Sequence, residues 1–329
     1  IAIRHYKSGK PLLSTPLKGA HRGRYGQKYL HIHRADLQNI LAEAAKDAGV
    51  TVHLGQEIRN YEQDKDGVSF DTQSQSISGD ILIGADGIKS AIRRQMLGPE
   101  NNTFTGNVAW RGLVPTKDLP PDLIPPCANN WVGPERHFVS YYVRGGDYVN
   151  FIAVEERDIW VDESWSQPGN MQTLREAFKG WDPRVTTLLE ACHSCYLWGL
   201  FDHAPLAGWT DNRVALLGDA AHPMLPFLAQ GAAMAIEDSW VLAQCISSQT
   251  HDPLAALKAY EKARYRRASA VQAKSQDNAK LYHMVSSLKS AYRNAKFKIA
   301  SHFPPAAHFE LDKIFATNVV KDYPKAKII

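Results

Sequence analysis

Apolar and polar positions along this chain follow two rhythms. Residues 110–114, 137–143 and 148–154 alternate with a period of two, as half-exposed antiparallel strands do, and 144–147 is the hairpin between the last two. Residues 68–70 and 77–79 flank a polar turn, as in a β-meander. The short apolar run at 214–217 reads instead as a buried parallel strand, and that at 81–83 as an apolar strand. Residues 1–28 read as strands with a glycine-rich turn. Helical spacing places Leu37, Ile40 and Leu41 on one face. It also predicts helices over 174–179, 185–190, 232–247 and from 253 to about 285, then a less regular tail broken at Phe303-Pro304-Pro305. The chain is α/β, or α+β overall: parallel strands with helices, an antiparallel sheet and a helical end.

Chemistry gathers at strand ends. Gly218 closes the 214–217 run and Asp219 stands at its carboxyl end, the edge where open α/β sheets bind ligands. A helix opening at Gly231 would turn the N–H groups of Gly231 and Ala232 toward an anionic or electron-rich ligand. After the strand at 81–83, Gly84 and Gly87 allow a sharp turn and close approach, and Ser90 can cap the next helix. A carboxylate-tipped strand and a glycine-opened helix are the parts that hold the ribityl and ring end of a flavin.

Gly218-Asp219-Ala220-Ala221-His222, Pro226, Gln230-Gly231 and Glu237-Asp238 together resemble the second flavin motif of the FAD-dependent aromatic hydroxylases. That family includes salicylate, 3-hydroxybenzoate and p-hydroxybenzoate hydroxylases. Residues 80–90 followed by Arg93 are similar to its Asp-Gly motif, and the segment 29–41 is similar to its helix whose first arginine reaches the flavin. The resemblance implies that Arg34, Gln38, Asp86, Gly218, Asp219, Pro226, Gly231 and Ala232 bind FAD, with Asp86 near the pyrophosphate. His222 is expected to support the loop around Asp219. Ala229 replaces the glycine of the usual Gly-Gln-Gly, a variant tolerated if the position needs no positive φ. Tyr142 stands where relatives often carry proline.

The resemblance further implies a Rossmann-like FAD/NAD(P)-binding domain in two pieces, 1–97 and 198–250. A substrate domain with an antiparallel sheet would span 98–197, and a helical region 251–329. The family opens with a strand, a G-x-G-x-x-G loop and a helix, and no such glycine spacing occurs here. Residues 1–13 are similar to the hairpin that follows the family's first βαβ unit, so the expectation is an N-terminally incomplete cofactor domain, its first βαβ unit outside this sequence.

The implied reaction uses NADH or NADPH to reduce FAD, and O2 to form a flavin C4a-hydroperoxide that hydroxylates a small phenolic or aromatic acid. A base near the phenol would assist; His137, Tyr141 and His203 are the candidates, because histidine and tyrosine relay protons. His137 and Tyr141 have like parity on one strand and so share a face. Two alternatives stay open. One is a hydroxylase of a larger quinone-type precursor, prompted by the basic helical tail. The other is a truncated pseudoenzyme or interaction module that binds no FAD, prompted by the missing phosphate loop.

Composition alters this picture little. The 329 residues are 44% apolar and 22% charged, as in a globular protein of two domains. No apolar run is long enough to span a membrane, and no signal peptide is visible. Four cysteines suit a reducing cytoplasm; Cys192-His-Ser-Cys195 lacks a second pair, so a reduced buried pair and no metal site are expected. The net charge of +4 is uneven, since residues 251–329 carry 15 Lys or Arg against 6 Asp or Glu. That stretch, with Arg264, Arg266 and Arg267, reads as a solvated helical surface. The expected partners are a small aromatic substrate and O2, without nucleic acid or membrane, in a cytoplasmic homodimer.

Overall fold

A computed structural model describes the chain apart from residues 18, 73–74, 100–102, 161–166, 303 and 326–329. It forms two compact units. The first comprises Ile1–Thr51, Phe104–Leu200 and Lys280–Ala316; the second comprises Val52–Thr103, Phe201–Ala279 and Thr317–Ile329.

The chain begins with the expected hairpin, β1 (Ala2–His5) and β2 (Pro11–Ser14). The glycine-rich stretch after it is helical rather than a strand turn. Helix α1 (Ala20–Tyr25) lies between Gly19 and Gly26, both at positive φ, so the glycines serve as helix ends. Helix α2 (Arg34–Asp47) buries no residue, and Ile40 and Leu41 of its apolar face are exposed. Strands β3 (Tyr61–Gln63), β4 (Val68–Asp71) and β5 (Ser76–Gly79) form the predicted meander. Strand β6 (Leu82–Gly84) and helix α3 (Ala91–Leu97) follow.

Next come β7 (Thr103–Pro115), β8 (Asn129–Gly133), β9 (Arg136–Val143), β10 (Tyr148–Glu156) and β11 (Gln167–Gly169). Helices α4 (Met171–Ala177) and α5 (Pro183–Glu190) lead to β12 (Cys195–Asp202), β13 (Thr210–Asp211) and β14 (Val214–Leu216). The remainder is helical: α6 (Gly231–Ser248), α7 (Pro253–Tyr282), α8 (Ser287–His302), α9 (Pro304–Phe315) and α10 (Val319–Asp322). Phe303 of the expected break lies outside the described residues. Helix α8 ends just before it and α9 starts on the proline just after, where a missing N–H costs nothing.

In the first unit, eight strands pair in the order β11-β12-β7-β10-β9-β8-β1-β2. The opening hairpin, assigned from the sequence to the cofactor domain, joins this sheet because β1 pairs in parallel with β8. Trp110, Trp131, Phe138 and Phe151 face Phe178, Leu188 and Leu189 of the α4–α5 region and form its core. By parity, Arg111, His137, Tyr141 and Asn150 lie on the opposite face of the sheet.

In the second unit the two predicted apolar strands pair with each other in parallel, Val214 opposite Leu82 and Leu216 opposite Gly84. Trp209, Val241, Leu242, Leu257 and Tyr260 pack around them. Tyr260 satisfies its buried hydroxyl by donating to the Leu216 carbonyl at 3.1 Å. No helix among the described residues is long and apolar enough to cross a membrane.

Candidate functional site

At the end of β14 the chain turns at Gly218, whose φ is 61°. A Cβ at Gly218 would lie 3.1 Å from that of Ala235, so both the backbone sign and the approach of α6 require glycine. The turn over Gly218–Ala220 leaves Asp219 at the carboxyl end of the strand. Helix α6 opens at Gly231; its N-cap, Gln230, makes no side-chain cap bond, and its first turn holds no acidic residue. The helix therefore keeps the partial positive charge of its terminus for another partner. Asp219 stands beside this opening, because a Cβ on Gly231 would meet Asp219 Oδ1 at 3.7 Å. A carboxylate acceptor and the helix N–H groups of Gly231 and Ala232 thus share one rim. A ligand with hydroxyl groups next to an electron-rich or anionic group matches that set. Pro226, itself exposed, begins the turn Pro226–Leu228 leading there, in which Phe227 is buried.

Ala229 does not meet the condition under which the sequence tolerates it. It adopts φ 52° and ψ 36°, the left-handed conformation. The chain must reverse between the turn at 226–228 and α6, and the alanine occupies the geometry a glycine would adopt without strain.

Buried charges fasten this region. Arg93 on α3, 2% exposed, donates to the carbonyls of Asp219 (3.2 Å), Ala220 (2.8 Å) and Ile88 (2.5 Å), joining the Asp-Gly loop to the strand-end turn. Asp238 of α6 is wholly buried and accepts from His222 Nε2 (2.5 Å), Arg264 Nε (2.7 Å) and the Gly218 N–H (3.3 Å). Burial alone would raise its pKa; the bonds from His222 and Arg264 outweigh burial and hold it below the usual carboxylate value. Glu237 takes the other side of Arg264 and a bidentate contact from Arg267. Arg264 is therefore interior, not part of a solvated surface, because an uncompensated carboxylate at Asp238 would be far costlier than a buried pair. His222 supports the loop through Asp238. The signal passed over in the sequence was an arginine facing an acid one helix away.

Asp86, assigned from the sequence to the pyrophosphate region, accepts from Ser90 Oγ (2.5 Å) and the Ala91 N–H (2.8 Å). Its carboxylate thus caps α3, beside Ser90, which accepts from the Arg93 N–H as a cap should. Arg34 opens α2 and Gln38 lies one turn on; both are exposed and both belong to the first unit.

The proton-relay candidates separate. His137 and Tyr141 share a face of β9, whereas His203 is buried in the second unit, its carbonyl accepting from Gln272 Nε2 at 2.9 Å. Burial pushes the Tyr141 hydroxyl up against the opposing pull of Arg111, so it remains a donor at neutral pH. The ring of His31 lies 4.7 Å from that of Tyr141, and burial lowers the pKa of His31. Asn150 stands directly opposite Tyr141 in the sheet. It is 2% exposed, and its Nδ2 has no acceptor among the described residues. An orphaned buried donor on the residue opposite a tyrosine, on the same sheet face, marks a surface shaped for a polar ligand. The sequence reading missed Asn150 and His31; the available signal for Asn150 was a polar residue at an inward position of an alternating strand, and His31, just before α2, offered none. Cys192 and Cys195 are buried thiols of the core, and burial pushes Cys195 up to about 11.

Residues 19–275 match the family model described as FAD binding domain. The chain is 37% identical over 285 residues to a 3-amino-4-hydroxybenzoate 2-monooxygenase of Streptomyces platensis, covering 86% of this chain and 71% of that protein. It is 36% identical over 282 residues to a 6-hydroxynicotinate 3-monooxygenase of Pseudomonas fluorescens, covering 84% and 72%. Among solved structures, a salicylate hydroxylase substrate complex superposes with a TM-score of 0.80 at 26% identity, covering 100% of this chain and 82% of that one. The strand-end carboxylate, the open helix and these matches agree, and the chain belongs to the FAD-binding aromatic hydroxylases.

Proposed function

We propose that the chain acts as an FAD-dependent monooxygenase that hydroxylates a small phenolic or aromatic acid with NADH or NADPH and O2. The observation that carries this is the Asp219 carboxylate at the rim of the uncapped α6 N-terminus, with Gly231 and Ala232 as donors. Bound FAD would supply the oxygen-activating chemistry, as flavins do. The residues of this chain supply the rest: Asp219 accepts from the cofactor's polyol, and Gly218, Pro226, Gly231 and Ala232 shape its seat. Arg34, Gln38 and Asp86 are the further proposed cofactor residues, Asp86 through its loop rather than its occupied carboxylate.

On the sheet face of the first unit, we assign the substrate's polar groups to the Tyr141 hydroxyl and the orphaned Asn150 amide, with His31 and His137 taking up or returning the phenolic proton. His203 is the weaker assignment, since its packing against α7 explains it structurally. Four free cysteines support a cytoplasmic location, and a homodimer is the proposed assembly.

The test is a fluorescence titration with FAD, then NAD(P)H oxidation in the presence of hydroxybenzoic acids or 6-hydroxynicotinate. Stoichiometric binding and substrate-stimulated oxidation are expected. Asp219→Ala should weaken FAD binding about tenfold to a hundredfold, the worth of one charge-assisted hydrogen bond. A chain that binds no FAD would end this reading.

A further inference from the structure

We propose that His137, His283 and Glu156 form a proton relay that joins the interior of the large sheet to solvent. Its purpose rests on the hydroxylase reading above; its geometry does not. His137 on β9 is 2% exposed, and its Nδ1 lies 2.6 Å from His283 Nε2. His283, buried just beyond the end of α7, places its Nδ1 3.0 Å from Glu156 Oε1. Glu156 ends β10, and its side chain is 45% exposed. The three groups therefore begin in the interior and end in water, all within the first unit.

The order of bonds fixes the hydrogens. A carboxylate oxygen can only accept, so His283 carries its hydrogen on Nδ1. In the neutral ring Nε2 is then a lone pair, which makes His137 Nδ1 the donor. His137 Nε2 is left as the basic atom of the chain. A proton arriving there forms an N–H bond and makes His137 an imidazolium. Its Nδ1 proton passes to His283 Nε2, the His283 Nδ1 proton passes to Glu156 Oε1, and Glu156 releases it to water. Only N–H and O–H bonds form and break, and one proton enters for each that leaves. Return of a proton when the product leaves runs the chain backward and restores both rings.

The surroundings keep His137 neutral at rest. Burial, and then His283, hold the pKa of His137 well below 6.5. Opposite His137 in the sheet are Val132 on β8 and Val154 on β10, which carry no charge. Its other ring neighbour is Tyr282, 5.3 Å away, whose hydroxyl burial pushes up to about 12. Arg293 of α8 donates to the carbonyls of Leu281 and Tyr282 at 3.1 Å each, and the Glu135 N–H donates to the His283 carbonyl at 3.3 Å. His283 is thus held through its own carbonyl and those of the two residues before it.

Nitrogen-15 NMR of histidine-labelled protein at pH 8 reads the hydrogens directly. Both rings should be Nδ1–H. Glu156→Ala removes the terminal acceptor and should switch both rings to Nε2–H together; Glu156→Gln keeps a carbonyl acceptor and should leave them as in the wild type. An Nε2–H ring at either position in the wild type, an imidazolium at His283, or no switch in Glu156→Ala would overturn the relay. A second readout uses FAD-loaded protein, 3-hydroxybenzoate and a pH indicator in stopped flow. Glu156→Gln should slow proton release at least tenfold while changing binding less than twofold; unchanged release would overturn the relay. Failure of 3-hydroxybenzoate to bind would count against the hydroxylase reading alone, and the NMR result would still decide the relay.

Discussion

His222 in the second unit and His137 in the first are both buried imidazoles bonded to an ionisable neighbour, yet their surroundings differ in kind. His222 meets Asp238, which is also clamped by Arg264, and Glu237 and Arg267 close the cluster. Charges balance inside, and the cluster holds the Gly218 turn through a direct bond. His137 has a second imidazole as its partner, and the exposed Glu156 lies beyond that. The first arrangement is closed and charged, suited to holding a loop still. The second is open at one end, suited to moving a proton. Exposure of the terminal carboxylate, not the presence of histidine, separates the two roles.

The sharpest way to break this contrast is to open the closed cluster. Arg264→Met removes the cation from a buried carboxylate and should destabilise the protein by about 3–5 kcal/mol, read as a shift of the urea unfolding midpoint. Adding Asp238→Asn should recover part of that loss, because the uncompensated charge disappears. If Arg264→Met costs no more than a surface substitution, the cluster does not hold the turn. The same variant should weaken FAD binding, since Gly218 and Asp219 rest on it.

Acid separates the clusters next. Asp238 has a lowered pKa in the folded state, so its contribution is present above the ordinary aspartate value and is lost as pH falls through the lowered folded value. His137 acts at higher pH. Its folded pKa lies well below 6.5 and its unfolded value near 6.5, so below 6.5 the unfolded chain binds a proton that the folded chain refuses. Stability should fall by about 1.4 kcal/mol per pH unit in that window. His137→Gln should reduce this slope, to which His31 also contributes, while leaving the steeper loss at lower pH. A wild-type protein equally stable at pH 6.5 and 5 would refute the lowered value for His137.

A smaller effect tests the Asp-Gly loop. Ser90 caps α3 for Arg93, the residue that reaches the strand-end turn. Ser90→Ala should cost about 1 kcal/mol and be visible in thermal melting, whereas Lys89→Ala beside it should do little.

How far the sequence reached depended on whether a feature was local. The run at 214–217, Gly218 and the helix from Gly231 were legible because period and glycine placement act within a few residues. Ser90 was legible as a cap for the same reason. Arg264 was misread as surface because its meaning depends on Asp238, 26 positions away on another helix. Asn150 looked like any polar residue in an alternating strand until the register set it opposite Tyr141. His283 carried no signal at all, since only the fold brings it 146 positions back to His137. The hairpin at the start was recognised as a hairpin, but its pairing with β8 is a long-range choice that its own pattern does not encode.

Ala229 gives the finest test, because two opposing terms nearly cancel. A left-handed alanine costs about 1–2 kcal/mol relative to glycine. Glycine in turn loses about 0.5–1 kcal/mol more chain entropy on folding. Ala229→Gly should therefore stabilise the second unit by only about 0.5–1 kcal/mol, a rise of a few degrees in melting temperature. Ala229→Val adds β-branching at the same positive φ and should lower it. If glycine destabilises instead, Ala229 must leave φ near 52° in solution, and the path by which the chain enters α6 would differ from the one that sets Gly231 beside Asp219.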